Sequence, residues 1–329
     1  MRIDLGRALK GPKGFSADEL ADMLASADEG LWREIFAAAR EVKAKCGKTE
    51  TLSRGLIETS NTCAKDCLYC GIRKGNAKVP RYLIPEDEVA ACIEEARRRG
   101  YPAVAFQAGE IESEANTAYY ERLIAICRGL EVTLSLGEQT EEVYRRWKDA
   151  GAMRYLIRIE TSNRELYAKI HPADCSFERR LGCIRTLKKL GYVTGSGVMI
   201  GLPGQTIRDL ANDIVFYGEE NLDMVGMGPY IPHAATPMGD ESKSKDEVEE
   251  GIFRCSTSTL DFVCRMIALT RLYLHNVNIV AATALEALDP EGGRNRGIEA
   301  GANVVMPVLT PTKYRCNYDL YPGKREVVS

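Results

Sequence analysis

The residues best suited to chemistry lie in one short segment, residues 59–71, which reads TSNTCAKDCLYCG. It places Cys63, Cys67 and Cys70 at positions i, i+4 and i+7. This spacing is compatible with one apolar face of a helix, with a metal site or with a disulfide framework. The segment follows a predicted strand, and Asn61 is typical of a cap or turn rather than of a helix interior. Three thiols in one such loop favour the binding of a soft metal.

The number of thiolates distinguishes the candidate metals. A structural zinc site uses four ligands, and no second pair of cysteines or histidines at zinc-site spacing is apparent in the sequence. An iron–sulfur cluster can be held by three thiolates, which leaves one iron for a non-protein ligand. We therefore expect a cluster here, with zinc or simple packing as the alternatives.

Composition excludes several classes of protein. The chain has 329 residues, of which 45% are hydrophobic and 28% charged, with a formal net charge of −3. Nothing in this balance indicates a nucleic acid or a membrane surface as a partner. The amino terminus lacks a signal-peptide core, and no stretch approaches the ~18 apolar residues of a membrane span. We expect a cytoplasmic protein, in which thiols stay reduced and disulfides are disfavoured.

The chain alternates between strand-like and helical patterns after about residue 50. Before that point, Ser16 and Glu19 form the capping box of a predicted helix. Helices are also predicted at 85–100, with Pro85 early in the helix, and at 176–191, opened by Ser176. Eight strands are predicted, at residues 51–60, 103–110, 132–138, 154–161, 191–202, 224–233, 276–286 and 303–311.

Repeated alternation of this kind implies parallel strands joined by right-handed crossovers. Eight units in this length predict an α/β fold, a complete (β/α)8 TIM barrel spanning residues 51–329, preceded by an N-terminal helical extension at 1–50. The charged segment 239–251 is expected to be a solvated loop or helix start. Four further cysteines lie among apolar residues at helical spacing and are expected to pack in the core: Cys92, Cys127, Cys183 and Cys264.

Polar residues cluster where the predicted strands end. Cys63 follows the first strand, Gln107 to Glu110 end the second, Glu138 ends the third and Glu160 ends the fourth. In this fold the active site is built at the carboxyl ends of the strands. The cysteine loop is therefore expected to face an active-site mouth.

A cysteine motif of this spacing after the first barrel strand resembles that of radical S-adenosylmethionine (SAM) enzymes. Further segments resemble the HydE group of [FeFe]-hydrogenase maturases, which is related in fold to biotin synthase and methylornithine synthase (PylB). These segments are IETSNTCAKDCLYCGIRKGN, VTLSLGE, RYLIRIETSNRELYAKIHP, GLPGQT, DMVGMGPYIPH, TPTKYR and LYPGK. The resemblance implies a [4Fe–4S] cluster and SAM, whose reductive cleavage yields a 5′-deoxyadenosyl radical.

The resemblance also implies roles for individual residues. Cys63, Cys67 and Cys70 match the cluster ligands. Glu160 and Arg180 match the pair that engages the ribose hydroxyls and the carboxylate of SAM. The remaining matches to SAM-binding positions are Tyr69, Met199 and Ile200 near the adenine, and Gln107, Gly109 and Glu110 at the amino group.

The barrel lumen is expected to hold the substrate. Thr133 and Ser135 share one strand face, and Arg154, Arg158 and Glu160 share another, because side chains alternate along a strand. Two arginine side chains that point into a barrel need a negative charge to balance them. This charge is either the carboxylate of a ligand or that of Glu138 or Glu160 in an ion pair.

The resemblance adds Thr283 and Met306 to these lumen positions. It also implies a mononuclear iron substrate that carries cyanide, carbon monoxide and cysteine. The partners that it implies are the other hydrogenase maturases and a reducing electron donor.

Two other functions fit the same residues. A radical SAM mutase or C–S bond-forming enzyme acting on an amino acid, as in methylornithine synthase, would use Arg154 or Arg158 for the substrate carboxylate. A non-catalytic iron–sulfur scaffold or carrier would not need residues that match a SAM site.

Three further features bear on the metal chemistry. Many relatives carry a second cysteine cluster after YPGK, whereas this sequence offers only Cys316 nearby, so no second cluster is expected. The three histidines, His171, His233 and His275, are too dispersed for a histidine metal site. His233 either contacts SAM or is a structural loop residue.

Overall fold

The computed structural model describes residues 5–239 and 259–324. Three helices precede the first strand, and helices then alternate with strands along the chain. The described helices are α1 (Leu5–Lys10), α2 (Ala17–Ala25), α3 (Glu29–Lys45), α4 (Glu86–Arg98), α5 (Glu114–Ile126), α6 (Glu141–Ala150), α7 (Arg164–Ile170), α8 (Phe177–Lys189), α9 (Ile207–Glu219), α10 (Thr259–Leu274), α11 (Thr283–Leu288), α12 (Gly293–Ala300) and α13 (Thr312–Arg315).

Eight parallel strands form the barrel. Including two outer pieces that pair separately, the described strand segments are β1 (Leu52–Ser60), β2 (Ala103–Ala108), β3 (Glu131–Ser135), β4 (Arg154–Leu156), β5 (Val193–Ser196), β6 (Met199–Ile200), β7 (Met224–Val225), β8 (Gly228–Pro229), β9 (Asn278–Ile279) and β10 (Val304–Val305). The eight-stranded sheet runs β10-β1-β2-β3-β4-β5-β7-β9, and a parallel bridge between Val280 and Val304 joins its two edges. The predicted TIM barrel is confirmed.

Several strands differ in length from the prediction. The fifth and sixth barrel strands are each interrupted, and their outer pieces β6 and β8 pair with each other. β4 has only three residues, whereas the sequence predicted eight. The predicted strand 276–286 is wrong in its second half, because α11 begins at Thr283.

Helix ends agree with the local sequence signals. Ser16 and Glu19 form the predicted capping box, and the Ser176 side chain accepts a hydrogen bond from Arg179 N. Pro85 is the N-cap of α4 rather than a residue inside it. The first turn of α4 instead carries three acidic residues, which favour the positive end of the helix dipole.

One large apolar core lies between the barrel and its helices and also includes residues of α2 and α3. Cys92, Cys127, Cys183 and Cys264 are all buried, as predicted, and every cysteine in the described ranges is free. None of the described helices is both long and apolar enough to span a bilayer. Apart from Gly239, the charged segment 239–251 lies outside the described residues, and the division into extension and barrel stays a prediction.

Candidate active site

The cysteine loop covers one side of the barrel mouth. Residues 61–79, which contain all three cysteines, include no helix, so the helical-face alternative is wrong. The loop is tied to its neighbours through its backbone: Ala64 N donates to Glu110 O at 2.8 Å, and Leu68 N donates to Ile170 O at 3.0 Å. The three thiols line one cavity of about 300 Å³ at the carboxyl ends of the strands.

The electrostatic surroundings of the thiols fit ligands that lose a proton on binding iron. Burial raises the pKa of Cys63 and raises that of Cys70 to about 12. The free thiols therefore stay protonated at neutral pH, and iron binding would release their protons. The Cys63 sulfur already accepts hydrogen bonds from Lys65 N at 3.4 Å and Glu110 N at 3.3 Å, donors that stabilise a thiolate.

A fourth cysteine lies next to the loop. The pKa of Cys67 is raised, first by a side-chain hydrogen bond with Cys175 and then by burial. Cys175 lies between α7 and α8 and was not singled out from the sequence. Among the described residues, no three Cys, His, Asp or Glu side chains are grouped to hold a metal ion. A cubane cluster attaches its three cysteines to three different irons, so it does not require the sulfurs to converge on one point.

Most of the residues that match SAM contacts line the same cavity as the thiols. These are Tyr69, Gln107, Gly109, Glu110, Glu160, Arg180 and Met199. Ile200 does not line the cavity and is fully buried in the main core. Gly109 brings the end of β2 against the cysteine loop, because a Cβ there would lie 2.3 Å from Thr62 O. A side chain at this position would push the two loops apart.

The charges around the SAM-matching residues are already partnered. Arg180 donates through Nε to Glu138 Oε1 at 2.6 Å and through Nη1 to Arg158 O at 2.8 Å. Glu110 Oε2 accepts from Glu138 N at 2.8 Å, and Lys65 Nζ lies 3.2 Å from Glu110 Oε1. Burial raises the pKa of Glu110. A ligand ammonium near Glu110 would therefore stabilise the ionised carboxylate.

Glu160 has a different partner and an unusual backbone. Its φ is +67°, a left-handed conformation that is costly for a residue with a Cβ. Backbone hydrogen bonds from Glu160 N to Gly197 O and from Met199 N to Glu160 O hold it there. Arg158 Nη2 lies 2.8 Å from Glu160 Oε2, so one of the two ion pairs foreseen for the arginine is present.

Tyr69 is fixed by a neutral histidine. Its hydroxyl donates to His171 Nε2 at 3.1 Å, because His171 Nδ1 donates to Tyr167 O at 2.9 Å. Burial lowers the pKa of His171 to about 4, so the imidazole is neutral at physiological pH. The ring of Tyr69 is thereby held at the cavity wall without adding charge.

The lumen residues divide into two groups. Ser135, Arg158, Thr283 and Met306 line the cavity, whereas Thr133 and Arg154 do not. Arg154 is the first residue of β4, at the opposite end of the barrel, and its Nε donates to Glu131 Oε2 at 2.9 Å. The structure therefore places Arg154 outside the ligand cavity.

The barrel mouth also contains residues that sequence reasoning missed. Lys65 lies between two of the motif cysteines, a signal that was available in the sequence. Tyr318, Tyr321 and Lys324 reach the cavity from the end of the described chain. His233 does not line the cavity; Ala235 N donates to its Nδ1 at 3.0 Å, and its Nε2 faces Asp319 Oδ2 at 3.2 Å.

Comparison with known proteins places this geometry in a family. Residues 57–216 match the profile of the Radical SAM superfamily. The chain is 44% identical over 311 residues to the [FeFe] hydrogenase maturase subunit HydE of Thermotoga maritima, an alignment that covers 94% of this chain and 85% of that protein. The chain belongs to the HydE family of radical SAM enzymes. Enzymes of this superfamily use a [4Fe–4S] cluster and SAM, and the three thiols beside backbone donors fit such a cluster.

More distant relatives support the fold. The 3-methylornithine synthase of Methanosarcina acetivorans is 24% identical over 90% of this chain and 81% of its own length. A crystal structure of methylornithine synthase (PylB) superposes with a TM-score of 0.78 at 21% identity, covering 92% of this chain and 85% of that one. The maturase HydG from Carboxydothermus hydrogenoformans superposes with a TM-score of 0.76 at 20% identity, covering 92% of this chain and 70% of that one.

Proposed function

We propose that this HydE-family enzyme acts in the maturation of [FeFe]-hydrogenase, on a cysteine-bearing mononuclear iron species that also carries cyanide and carbon monoxide. The proposal is supported by the 44% identity to a maturase over nearly the whole chain. It is also supported by one observation in the structure: the three thiols, all the SAM-matching residues except Ile200, and Arg158 line a single cavity. When bound, the cluster and SAM supply a 5′-deoxyadenosyl radical by reductive cleavage of the sulfonium.

The protein's part in this reaction is binding and orientation. Cys63, Cys67 and Cys70 would hold three irons of the cluster. Glu110 would receive the ammonium of SAM and Arg180 its carboxylate, since a guanidinium can fork onto two oxygens. Glu160 would accept the ribose hydroxyls. Tyr69 and Met199 would contact the adenine.

Arg158 would hold the carboxylate of the substrate cysteine. Its side chain is 32% exposed and lines the cavity; Nη2 lies 2.8 Å from Glu160 Oε2, whereas Nε has no hydrogen-bond partner among the described residues. A guanidinium with free donors can bind a carboxylate without first losing its own bonds. Ser135, Thr283 and Met306 line the same lumen and would define the space around the substrate.

The cellular setting is part of the proposal. We place the reaction in the cytoplasm, with the other hydrogenase maturases and a reducing electron donor as partners. Free thiols that must be deprotonated by iron favour a reducing compartment.

The proposal is tested with anaerobically reconstituted protein. We expect about four irons and four sulfides per chain rather than eight, 5′-deoxyadenosine formation under reduction, and hydrogenase activation in an extract that lacks only this maturase. Cys67→Ala should abolish all three. Cys316→Ala is the matched control, because Cys316 is exposed and lies outside the cavity.

Each outcome has a distinct meaning. A reproducible second cluster would contradict the single-cluster expectation. SAM cleavage by the wild-type protein without hydrogenase activation would disprove the maturation role and favour an amino-acid mutase, while leaving the radical SAM chemistry intact.

A further inference from the structure

Four cavity-lining cations each have a close carboxylate partner among the described residues. The pairs are Lys65–Glu110 at 3.2 Å, Arg180–Glu138 at 2.6 Å, Arg158–Glu160 at 2.8 Å and Lys324–Glu58 at 2.5 Å. The first three involve residues already proposed to bind SAM or substrate. The fourth pair joins the first strand to the end of the described chain and has no role in that proposal.

Glu58 faces the inside of the barrel. It lies two residues after Leu56, which lines the cavity, and side chains on a strand alternate between the two faces. Glu58 is fully buried and Lys324 is 2% exposed. Lys324 Nζ lies 2.5 Å from Glu58 Oε1, and Oε2 has no hydrogen-bond partner among the described residues, so the Lys324 ammonium balances the charge of Glu58.

Lys324 ends a segment that lies on the cysteine loop. We call residues 316–324 the C-terminal strap. Gly71 N donates to Leu320 O at 3.0 Å, and Asn61 Nδ2 donates to Asn317 O at 2.7 Å. A Cβ at Gly71 would lie 1.9 Å from Asp319 O, so the strap backbone contacts the residue that directly follows Cys70.

The strap also forms part of the cavity wall. Tyr318, Leu320 and Tyr321 line the cavity, and the Tyr321 hydroxyl lies 3.0 Å from Thr283 Oγ1. The strap contains no helix or strand. A segment without regular structure depends on a few long-range contacts to stay in place.

We propose that Lys324 is a positioning residue, whose ion pair with Glu58 holds the C-terminal strap closed over the cluster loop and shields the cluster from solvent and oxidants. The shielding rests on the cluster assignment above, whereas the closure does not. Burial makes the pair a strong constraint, because opening the strap would leave a bare carboxylate inside the barrel.

The test compares buried and exposed lysines of the same chain region. Lys324→Met and Glu58→Gln remove the pair. Lys313→Met is the matched control, because Lys313 pairs with Glu88 at 2.7 Å on the surface and its side chain is 62% exposed. We expect the reconstituted cluster to bleach about tenfold faster with ferricyanide in the first two variants, and within about twofold of wild type in the control.

A second measurement uses cluster-free protein. Chymotrypsin should cut after Tyr318 or Tyr321 about tenfold faster in Lys324→Met and Glu58→Gln than in wild type, because proteolysis follows the population of the open strap. Chymotrypsin is preferred to trypsin because Lys324→Met removes a trypsin site. Faster proteolysis with unchanged bleaching would overturn the shielding but not the closure, which separates this inference from failure of the cluster assignment.

The double variant Glu58→Gln/Lys324→Met separates the ion pair from stability. It has no lone buried charge, so its thermal stability should recover relative to the single variants. We expect its strap to remain sensitive to chymotrypsin, because the electrostatic attraction is absent. Wild-type protection of the strap in the double variant, or in both single variants, would overturn the proposal.

Discussion

Two arginine–glutamate sites at opposite ends of the barrel show how similar residues serve different purposes. At the mouth, Arg158 Nη2 lies 2.8 Å from Glu160 Oε2, and Arg158 Nε has no hydrogen-bond partner among the described residues. The opposite end of the barrel carries the second site, formed by Arg54, Glu131 and Arg154, which we call the floor site. There, Glu131 Oε2 lies 2.9 Å from two nitrogens of Arg154 and 3.4 Å from Arg54 Nη1. The arginine N–H groups of the floor site bind Glu131 within the protein, whereas Arg158 at the mouth has an N–H group available to a ligand.

The pKa values of the two carboxyl groups move in opposite directions. Hydrogen bonding to Arg154 lowers the pKa of Glu131, whose side chain is 49% exposed. Burial raises the pKa of Glu160 despite the neighbouring Arg158. The charge of Glu160 is therefore not fully compensated by the protein, and additional hydrogen-bond donors from a ligand would stabilise it. Incomplete compensation distinguishes a binding site from a structural ion pair.

The largest expected effect comes from exchanging the two arginines for methionine. Arg158→Met should still cleave SAM slowly but should lose about 100-fold in hydrogenase activation, because a shift of roughly 1 Å in the substrate is enough for such a loss. Arg154→Met is the matched control, since it removes an arginine of the floor site. It should lower thermal stability and leave activation per folded molecule unchanged. Both activities are measured on one preparation of each variant.

Full activation by Arg158→Met would remove this residue from the substrate site. Loss of both SAM cleavage and activation would indicate misfolding rather than altered positioning. A specific loss of activation in Arg154→Met would show that the floor site also contacts substrate.

A smaller effect is expected for the two glutamates. Glu160→Gln should weaken SAM binding roughly 10- to 100-fold, because a hydrogen bond to a charged group contributes about 1.5–3 kcal/mol. The visible spectrum of the cluster should be unchanged, since Glu160 is not a ligand. Glu131→Gln should bind SAM within about twofold of wild type and unfold at a lower temperature. The SAM affinity of each reconstituted variant is measured by equilibrium binding. Equal affinity in both variants would show that the SAM site is misplaced.

The mouth was easier to predict from the sequence than the floor. Residues directly after strands must meet at one end of a parallel barrel, so the cysteine loop, Gln107 to Glu110 and Glu160 were brought together correctly. Arg154 was misplaced because alternation gives the face of a strand but not the position along the barrel axis, and Arg154 begins β4 at the end away from the mouth. β4 ends at Leu156, and the consecutive residues Leu156, Ile157 and Arg158 all line the cavity, which an alternating strand does not permit.

Other features depended on contacts that no local pattern encodes. The pairing of Glu58 with Lys324 joins the two ends of the barrel sequence, and the local sequence around either residue does not indicate the other as its partner. The contact of Cys175 with Cys67 likewise requires the loop before α8 to fold back on the mouth. Family resemblance identified Thr283 as a lumen position, although the local sequence predicted strand where α11 begins.

The buried Asp213 carboxyl group supports the turn that carries Glu160. The contacts given above for the floor site include no such support. Asp213 Oδ1 accepts two hydrogen bonds from Ser162, from N at 2.7 Å and from Oγ at 2.6 Å. Asp213 Oδ2 has no hydrogen-bond partner among the described residues. Burial raises the pKa of Asp213 to about 7. The carboxyl group therefore holds the turn while staying largely protonated below neutral pH.

This support predicts a pH-dependent difference in stability. An unfolded Asp loses its proton near pH 4, whereas folded Asp213 keeps its proton until about pH 7, so wild-type stability should fall as pH rises between these values. Asp213→Asn keeps an oxygen for both Ser162 bonds and cannot ionise. The free energy of unfolding of the variant should match that of wild type near pH 4 and exceed it by roughly 2–4 kcal/mol above pH 7, at about 1.4 kcal/mol per pKa unit.

Denaturant unfolding from pH 4 to 8 measures this difference. Ser162→Ala is the control, because it weakens the turn without removing the ionisable group. Parallel pH curves for wild type and Asp213→Asn would show that Asp213 ionises normally, and that the mouth turn carries no more electrostatic strain than the floor.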